Sequence, residues 1–394
     1  MIKQRCRRRA SIGVRREPSW QRSRLPANPT LESSSRRSVV SERDHGIKAG
    51  CAKRPCLDKR AQAEEIFTPN MAKIVLALAT SHSPMLCVPP NEWVASYGAK
   101  DQHDPSLPHY PELYRQNSSR LAAELTAEKC QERFATVQGA MDRMATTLQR
   151  IAPDAVIVIG DDHHEMFPED HMPAVNIYWG EKYLNSPAEL EKIPPFRRAG
   201  MWAYHPQEPE WYPCDAELGL QVIGSLIAQQ FDIAHSRSVP SERGIGHAFN
   251  FIVRRFMSAT QAIPLVPIFL NTYFPPTQPT VQRCYALGKA LRQAVESWDA
   301  DKTVAIVASG GLSHFVVDEA MDRALLAAMA QKDQTAICRW PERIFQSGTS
   351  EIKTWIVLAG AMEQTALQMR LIDYVTCYRS LAGTGVGAGF AEWV

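Results

Sequence analysis

Val156-Ile157-Val158-Ile159-Gly160-Asp161-Asp162-His163-His164-Glu165-Met166-Phe167 runs four β-branched residues into a glycine and then into five ionisable side chains. An apolar run this short, with Pro153 before it and Gly160 after it, reads as a buried strand of a parallel sheet. Such a strand delivers its Asp and His residues to the carboxyl edge of the sheet, where open α/β sheets hold their ligands. The alternative is a solvated polar loop, but two Asp and two His side by side are costly without a task.

The same pattern recurs along the chain. Residues 72–79 read as a first strand, running into Thr80-Ser81-His82-Ser83-Pro84. From 114 to 151 apolar residues recur at helical spacing, with Leu121, Leu125, Phe134, Val137, Met141, Met144 and Leu148 on one face. Residues 167–212 read as a long irregular region with one strand-like piece at 174–179, the kind of loop that forms a lid or subunit contact. Helices are expected at 214–230, 248–257, 279–297, 318–331 and 350–368. Strands are expected at 154–160, 231–235, 263–270, 304–308, 371–378 and 387–393. Alternating strands and helices give an α/β fold, a mostly parallel central sheet with helices on both faces.

Composition bounds the class. The 394 residues are 45% apolar and 22% charged, ordinary for a globular chain with a sizeable core. The near-neutral total hides a division: residues 1–70 carry 17 Lys and Arg against 7 Asp and Glu, leaving a net charge of −8 for the rest. Residues 1–70 have little periodic apolar pattern and read as a disordered basic extension. A nucleic-acid tail, a transit peptide and an upstream region translated from the wrong start compete for it. Its seven acidic residues argue against the transit peptide. Met71-Ala72-Lys73, followed at once by a strand, reads as the natural start of a single catalytic domain, 71–394, with a solvated tail as the alternative. Nine cysteines without CxxC spacing suit a reduced cytoplasmic protein. No apolar run is long enough to span a membrane.

Three strand-like runs therefore end in a histidine: His82, His163 and His314. His247 sits in the glycine turn Gly244-Ile245-Gly246-His247. A parallel sheet brings such ends together, and neutral imidazole is the commonest metal ligand. The physical reading is a metal held by two His and a carboxylate, with a further His as acid/base. Glu351, in the glycine turn Gly348-Thr349-Ser350-Glu351 that enters a helix, offers the carboxylate. On spacing alone, a capping acid on a solvated helix fits Glu351 better. Asn271 and Tyr273, at another strand end, are either pocket walls or ordinary loop anchors.

On these motifs, from Met71 to Val394, the chain resembles the class III extradiol ring-cleavage dioxygenases. Within them it is most similar to the catalytic β subunit of protocatechuate 4,5-dioxygenase, in the branch acting on gallate and 3-O-methylgallate. The resemblance implies Fe(2+) held by His82 in Thr-Ser-His-Ser-Pro, His163 in Asp-Asp-His and Glu351 in Gly-Thr-Ser-Glu. It implies His314 in Gly-Gly-Leu-Ser-His-Phe as catalytic acid/base and His247 as a pocket residue. Two His and one carboxylate would occupy one face of an octahedral iron, leaving two positions for a chelating diol and one for dioxygen. His164 departs from the motif, which usually has one His; aligning on Phe167 makes His163 the ligand. The family's polar pair for a substrate carboxylate falls on Ala382-Gly383-Thr384-Gly385, which does not match, although Thr384 stays a candidate substrate-binding residue with Arg379 just upstream. The implied partners are a small aromatic diol and O2, with a homo-oligomer and a separate small α subunit expected from the family. A zinc metallohydrolase on the same ligands and a non-enzymatic binding protein on the same fold are the competing readings.

Overall fold

A computed structural model describes residues 70–394, apart from 106, 108, 240–243 and 258–261. The expectations for the basic extension lie outside the described residues.

Strands β1 (Lys73–Thr80), β2 (Ala155–Gly160), β3 (Val175–Tyr178), β4 (Lys182–Asn185), β5 (Glu210–Pro213), β6 (Ala234–Ser236), β7 (Leu265–Leu270), β8 (Thr303–Ser309), β9 (His314–Val316), β10 (Met369–Tyr378) and β11 (Thr384–Trp393) follow in chain order. Nine of them form one sheet in the order β10-β11-β1-β8-β2-β7-β3-β6, with β9 paired to the start of β11. Its centre, β1-β8-β2-β7, is parallel throughout; β11 and β3 run antiparallel against either side of it. The expected mostly parallel central sheet is the one observed.

Both faces of the central strands are covered, which explains their unbroken apolar sequence. On β1, Ala77 and Ala79 point to one core while Leu76 and Leu78 point to the other; on β2, Ile157 and Ile159 oppose Val156 and Val158. Helices Ala216–Ala228, Val281–Glu296, Glu319–Ala330 and Ile352–Met362 cover the first face. Ala127–Ile151 and His247–Phe256 cover the second.

Three local expectations change. The helix expected over 114–151 is two, Tyr110–Leu121 and Ala127–Ile151, because Thr126 caps the second by accepting from Lys129 N–H. The irregular region at 167–212 contains a hairpin of its own, β4 with β5. The helix expected over 350–368 occupies only Ile352–Met362. Among the described residues, no helix is long and apolar enough to cross a membrane.

Candidate metal centre and cavity

The carboxyl ends of β1, β8 and β2 lie side by side, so the residues that follow them meet. His82 Nδ1 lies 2.9 Å from Ser309 Oγ, at the end of β8. Ser309 spends its own proton on Ala248 O at 2.7 Å. The imidazole must therefore donate from Nδ1, which leaves Nε2 as the nitrogen open to a metal. Nε2 faces Asp161 Oδ1 at 3.6 Å and Glu351 Oε2 at 3.4 Å. His163 Nε2 lies 2.8 Å from Asp161 Oδ2 on the other side.

His82 Nε2 and Asp161 Oδ1 are buried without a hydrogen-bond partner among the described residues, and Asp161 Oδ2 has His163 Nε2 beside it. Buried acceptors facing one another are strongly unfavourable unless a cation lies between them. Donor atoms of His82, Asp161 and His247 fall within 4.8 Å of one another, as do those of Asp161, His163 and Glu351. Nitrogen and carboxylate donors in this number suit a divalent transition metal.

Glu351 ends a short 3-10 turn and precedes the helix Ile352–Met362. It makes no side-chain cap and is buried, so the capping expectation does not hold. Its Oε2 accepts from Gly311 N–H at 2.7 Å. Burial pushes its pKa up, but His314, His82 and His163 outweigh this and hold the carboxyl well below its ordinary range. Asp161 is likewise held ionised: burial and Glu351 oppose, His163 and His247 prevail.

His314 opens β9. Its backbone N–H donates to Thr349 Oγ at 2.9 Å, and its Nδ1–H donates to Leu312 O at 2.8 Å, leaving Nε2 as an acceptor. Burial lowers its pKa from the ordinary 6.5, so the ring is neutral at pH 7. His247 is the opposite case. It follows Gly246, whose φ of 108° requires glycine. Its Nδ1 lies 2.7 Å from Glu165 Oε2, and its backbone N–H also donates to that carboxylate. Burial opposes the charge, but Glu165, Asp161 and Glu351 raise its pKa to about 10 and Glu165 falls to about 2. The His247 ring centroid is 4.7 Å from that of His82 and 5.0 Å from that of His163.

His82, His163, Glu165, His247, His314 and Glu351 line one cavity of about 590 Å³, together with Tyr97, Lys100, Arg197, Tyr273 and Arg379, and Asp161 is buried behind its wall. Residues 107–390 match the profile of the family described as the catalytic LigB subunit of aromatic ring-opening dioxygenase. The chain belongs to that family.

As a LigB-family chain it is 36% identical over 104 residues to a gallate dioxygenase of Pseudomonas putida, covering 26% of this chain and 30% of that protein. It is 26% identical over 178 residues to a 2,3-dihydroxyphenylpropionate/2,3-dihydroxicinnamic acid 1,2-dioxygenase of Rhodococcus jostii, covering 45% and 49%. The enzyme of that name from Comamonas testosteroni is 27% identical over 167 residues, covering 42% and 45%. The chain thus matches less than half the length of each of these relatives.

Of the residues singled out from sequence, His82, His163, His247, Tyr273, His314 and Glu351 all line the LigB-family cavity. The Tyr273 ring lies 5.0 Å from that of His163. His164 does not reach the cavity: with φ 60° it turns its ring onto Phe274, stacked at 3.8 Å, and lines a separate surface hollow. Asn271 is a loop anchor, its amide bonded to Phe274 O at 2.6 Å and to Thr277 Oγ at 2.9 Å. Thr384 is fully buried and off the cavity wall, its hydroxyl donating to Asp101.

Sequence reasoning passed over three residues. Asp161 was visible only as one acid among five ionisable neighbours; its signal is its place directly after Gly160. Asp162 beside it caps a turn, accepting from Met166 and Phe167 N–H at 2.9 and 3.1 Å. Glu165 is marked only by the His247 it meets across the fold. Arg379 had a signal, a lone charge ending a strand, that was not taken up.

Proposed function

We propose that the chain is a non-haem Fe(II)-dependent extradiol dioxygenase. It opens the ring of a catechol-type aromatic, protocatechuate-, gallate- or 3-O-methylgallate-like, and both atoms of O2 enter the product. The observation that carries this reading is the convergence of donor atoms from His82, Asp161, His163 and Glu351, with His82 Nε2 and Asp161 Oδ1 lacking a hydrogen-bond partner, beside a neutral His314. His82, His163 and Glu351 are the proposed iron ligands. When bound, the iron supplies a chelation point for the two diol oxygens and a redox partner for dioxygen.

The rest falls to the protein's own side chains. His314, with Nε2 bare, accepts the proton of a substrate hydroxyl and returns one as the ring opens beside the diol. His247, kept protonated by Glu165, offers a charged donor to oxygen that becomes anionic. Tyr273 walls the aromatic ring. The six described cysteines are free, which suits the proposed cytoplasmic location.

Oxygen uptake by anaerobically iron-loaded protein against a panel of catechols, gallate and methylgallate tests the reading. Ring-opened product with one O2 consumed per diol is expected. Tightly held zinc with no oxygen uptake would turn the assignment to a metallohydrolase.

A further inference from the structure

The geometry points to Arg379 as the anchor for a carboxylate on the substrate ring, with Asp101 and Thr384 as residues that position it. The inference rests on the ring-cleavage reading.

Arg379 follows β10 directly, and its backbone N–H donates to Thr384 O at 2.8 Å. Its guanidinium donates from Nε to Asp101 Oδ2 at 2.6 Å and from Nη2 to Asp101 Oδ1 at 2.9 Å. Asp101 is 2% exposed and Arg379 7%. The Thr384 hydroxyl donates to Asp101 as well and lies 2.6 Å from Ser380 Oγ. Thr384, expected at the substrate, therefore acts one step behind it.

Guanidinium has five N–H groups along two usable edges. Asp101 occupies the edge formed by Nε and one Nη2 hydrogen. The edge formed by Nη1 and the other Nη2 hydrogen keeps its donors. Nη1 has no hydrogen-bond partner among the described residues, yet it is not sealed from solvent, and Arg379 lines the cavity that holds His82, His163 and His314.

Two aromatic rings hold the guanidinium, Tyr97 at 6.0 Å and Phe315 at 5.8 Å. Phe315 follows His314, so the anchor is tied in sequence to the proposed acid/base. The free edge matches a planar oxyanion bound by two parallel hydrogen bonds, which a carboxylate in the plane of an aromatic ring provides. Other cations on the wall are less well held: Lys100 pairs with Asp104 at 3.3 Å, and Arg197 is exposed.

Gallate and pyrogallol differ only by the carboxylate and so isolate its contribution. In Arg379→Gln, KM for gallate should rise roughly 10- to 150-fold, the range for a lost charge-assisted hydrogen bond, while kcat and the pyrogallol KM stay close to wild type. The variant leaves Asp101 buried without its cation, so Arg379→Gln/Asp101→Asn, which removes both charges, serves as the folded control. It should show the same selective loss. Thr384→Val should give a smaller loss of the same kind. Equal losses on gallate and pyrogallol, or none, overturn the anchor and leave ring cleavage standing. Failure of the wild type to open either ring counts against the ring-cleavage reading instead. Benzoate binding to metal-free protein, followed by ligand-observed NMR against benzyl alcohol, still decides the anchor in that case. Wild type that binds benzoate no better than benzyl alcohol overturns it.

Discussion

Gly311→Ala is a one-methyl test of the role proposed for His314. A Cβ at position 311 would sit 1.7 Å from His314 Cε1, 2.6 Å from Nδ1 and 2.7 Å from Nε2. The imidazole lies directly over this α-carbon. Restoring an ordinary contact of 3.4 Å moves the ring by about 1.7 Å, the difference between the two distances. A retreat of that size also breaks the 2.8 Å bond from Nδ1–H to Leu312 O, which sets the tautomer. The backbone N–H of residue 311, which binds Glu351, survives the substitution. Misplacing a reacting group by 1 Å can cost about 10²-fold, so turnover should fall by about 10²-fold or more. Overpacking costs about 1–3 kcal/mol, so the protein should stay folded with a lowered Tm. The assay is oxygen uptake per iron-loaded molecule, repeated in a His314→Ala background. There the added methyl has no ring to displace, and it should cost nothing further. Full turnover in Gly311→Ala at full iron, or an equal loss in both backgrounds, refutes the argument.

Metal analysis separates the proposed ligands: His82→Ala, His163→Ala and Glu351→Ala should lose iron and activity, and His164→Ala should keep both. Iron kept in His163→Ala but lost in His164→Ala would reverse that pair. Asp161→Asn should bind Co(II) or Mn(II) roughly 10- to 100-fold more weakly, as loss of a group that orients metal ligands usually does; unchanged affinity would remove Asp161 from the centre. In metal-free protein, His247 should not titrate between pH 6 and 8 by NMR, because its pKa is raised to about 10. Its contribution to stability is complete below pH 6.5 and fades as pH rises through about 10, and Glu165→Gln should bring the titration back toward 6.5. A wild-type ring that titrates near 6.5 would dissolve the pair. Deleting residues 1–70 should leave Tm and turnover unchanged; a truncated chain that fails to fold would make the extension part of the fold.

Central strands announce themselves because burial on both faces demands unbroken apolar runs rich in β-branched residues, as at 156–159 and 304–307. Strands such as β4, β5 and β9 do not. They are three or four residues long, and their pairing comes from contacts the local sequence does not encode. The break between the two helices before β2 rests on one capping hydroxyl, Thr126, which an apolar period cannot register. In the site, histidines at strand ends were legible because a parallel sheet gathers those ends. Whether Glu351 faces the centre or the solvent was not, because both uses place an acid in the first turn of a helix. Choosing His163 over His164 turns on one left-handed backbone residue, which two adjacent histidines do not reveal. Thr384 and Arg379 exchanged places because a hairpin fixes which of two near neighbours meets the cavity.

The position of β1 bears on synthesis. It pairs with β8 on one side and β11 on the other, and the bond from Gly389 N–H to Ser81 Oγ joins residues 308 apart in the chain. β1 therefore leaves the ribosome some 230 residues ahead of its first partner, a wait of roughly ten to fifty seconds at 5–20 residues per second. Through that interval Ile74–Ala79 is an unpaired apolar strand on a nascent chain, the kind of segment that templates aggregation. Nascent chains stalled before residue 303 should depend on chaperones, and those released after Val394 should not.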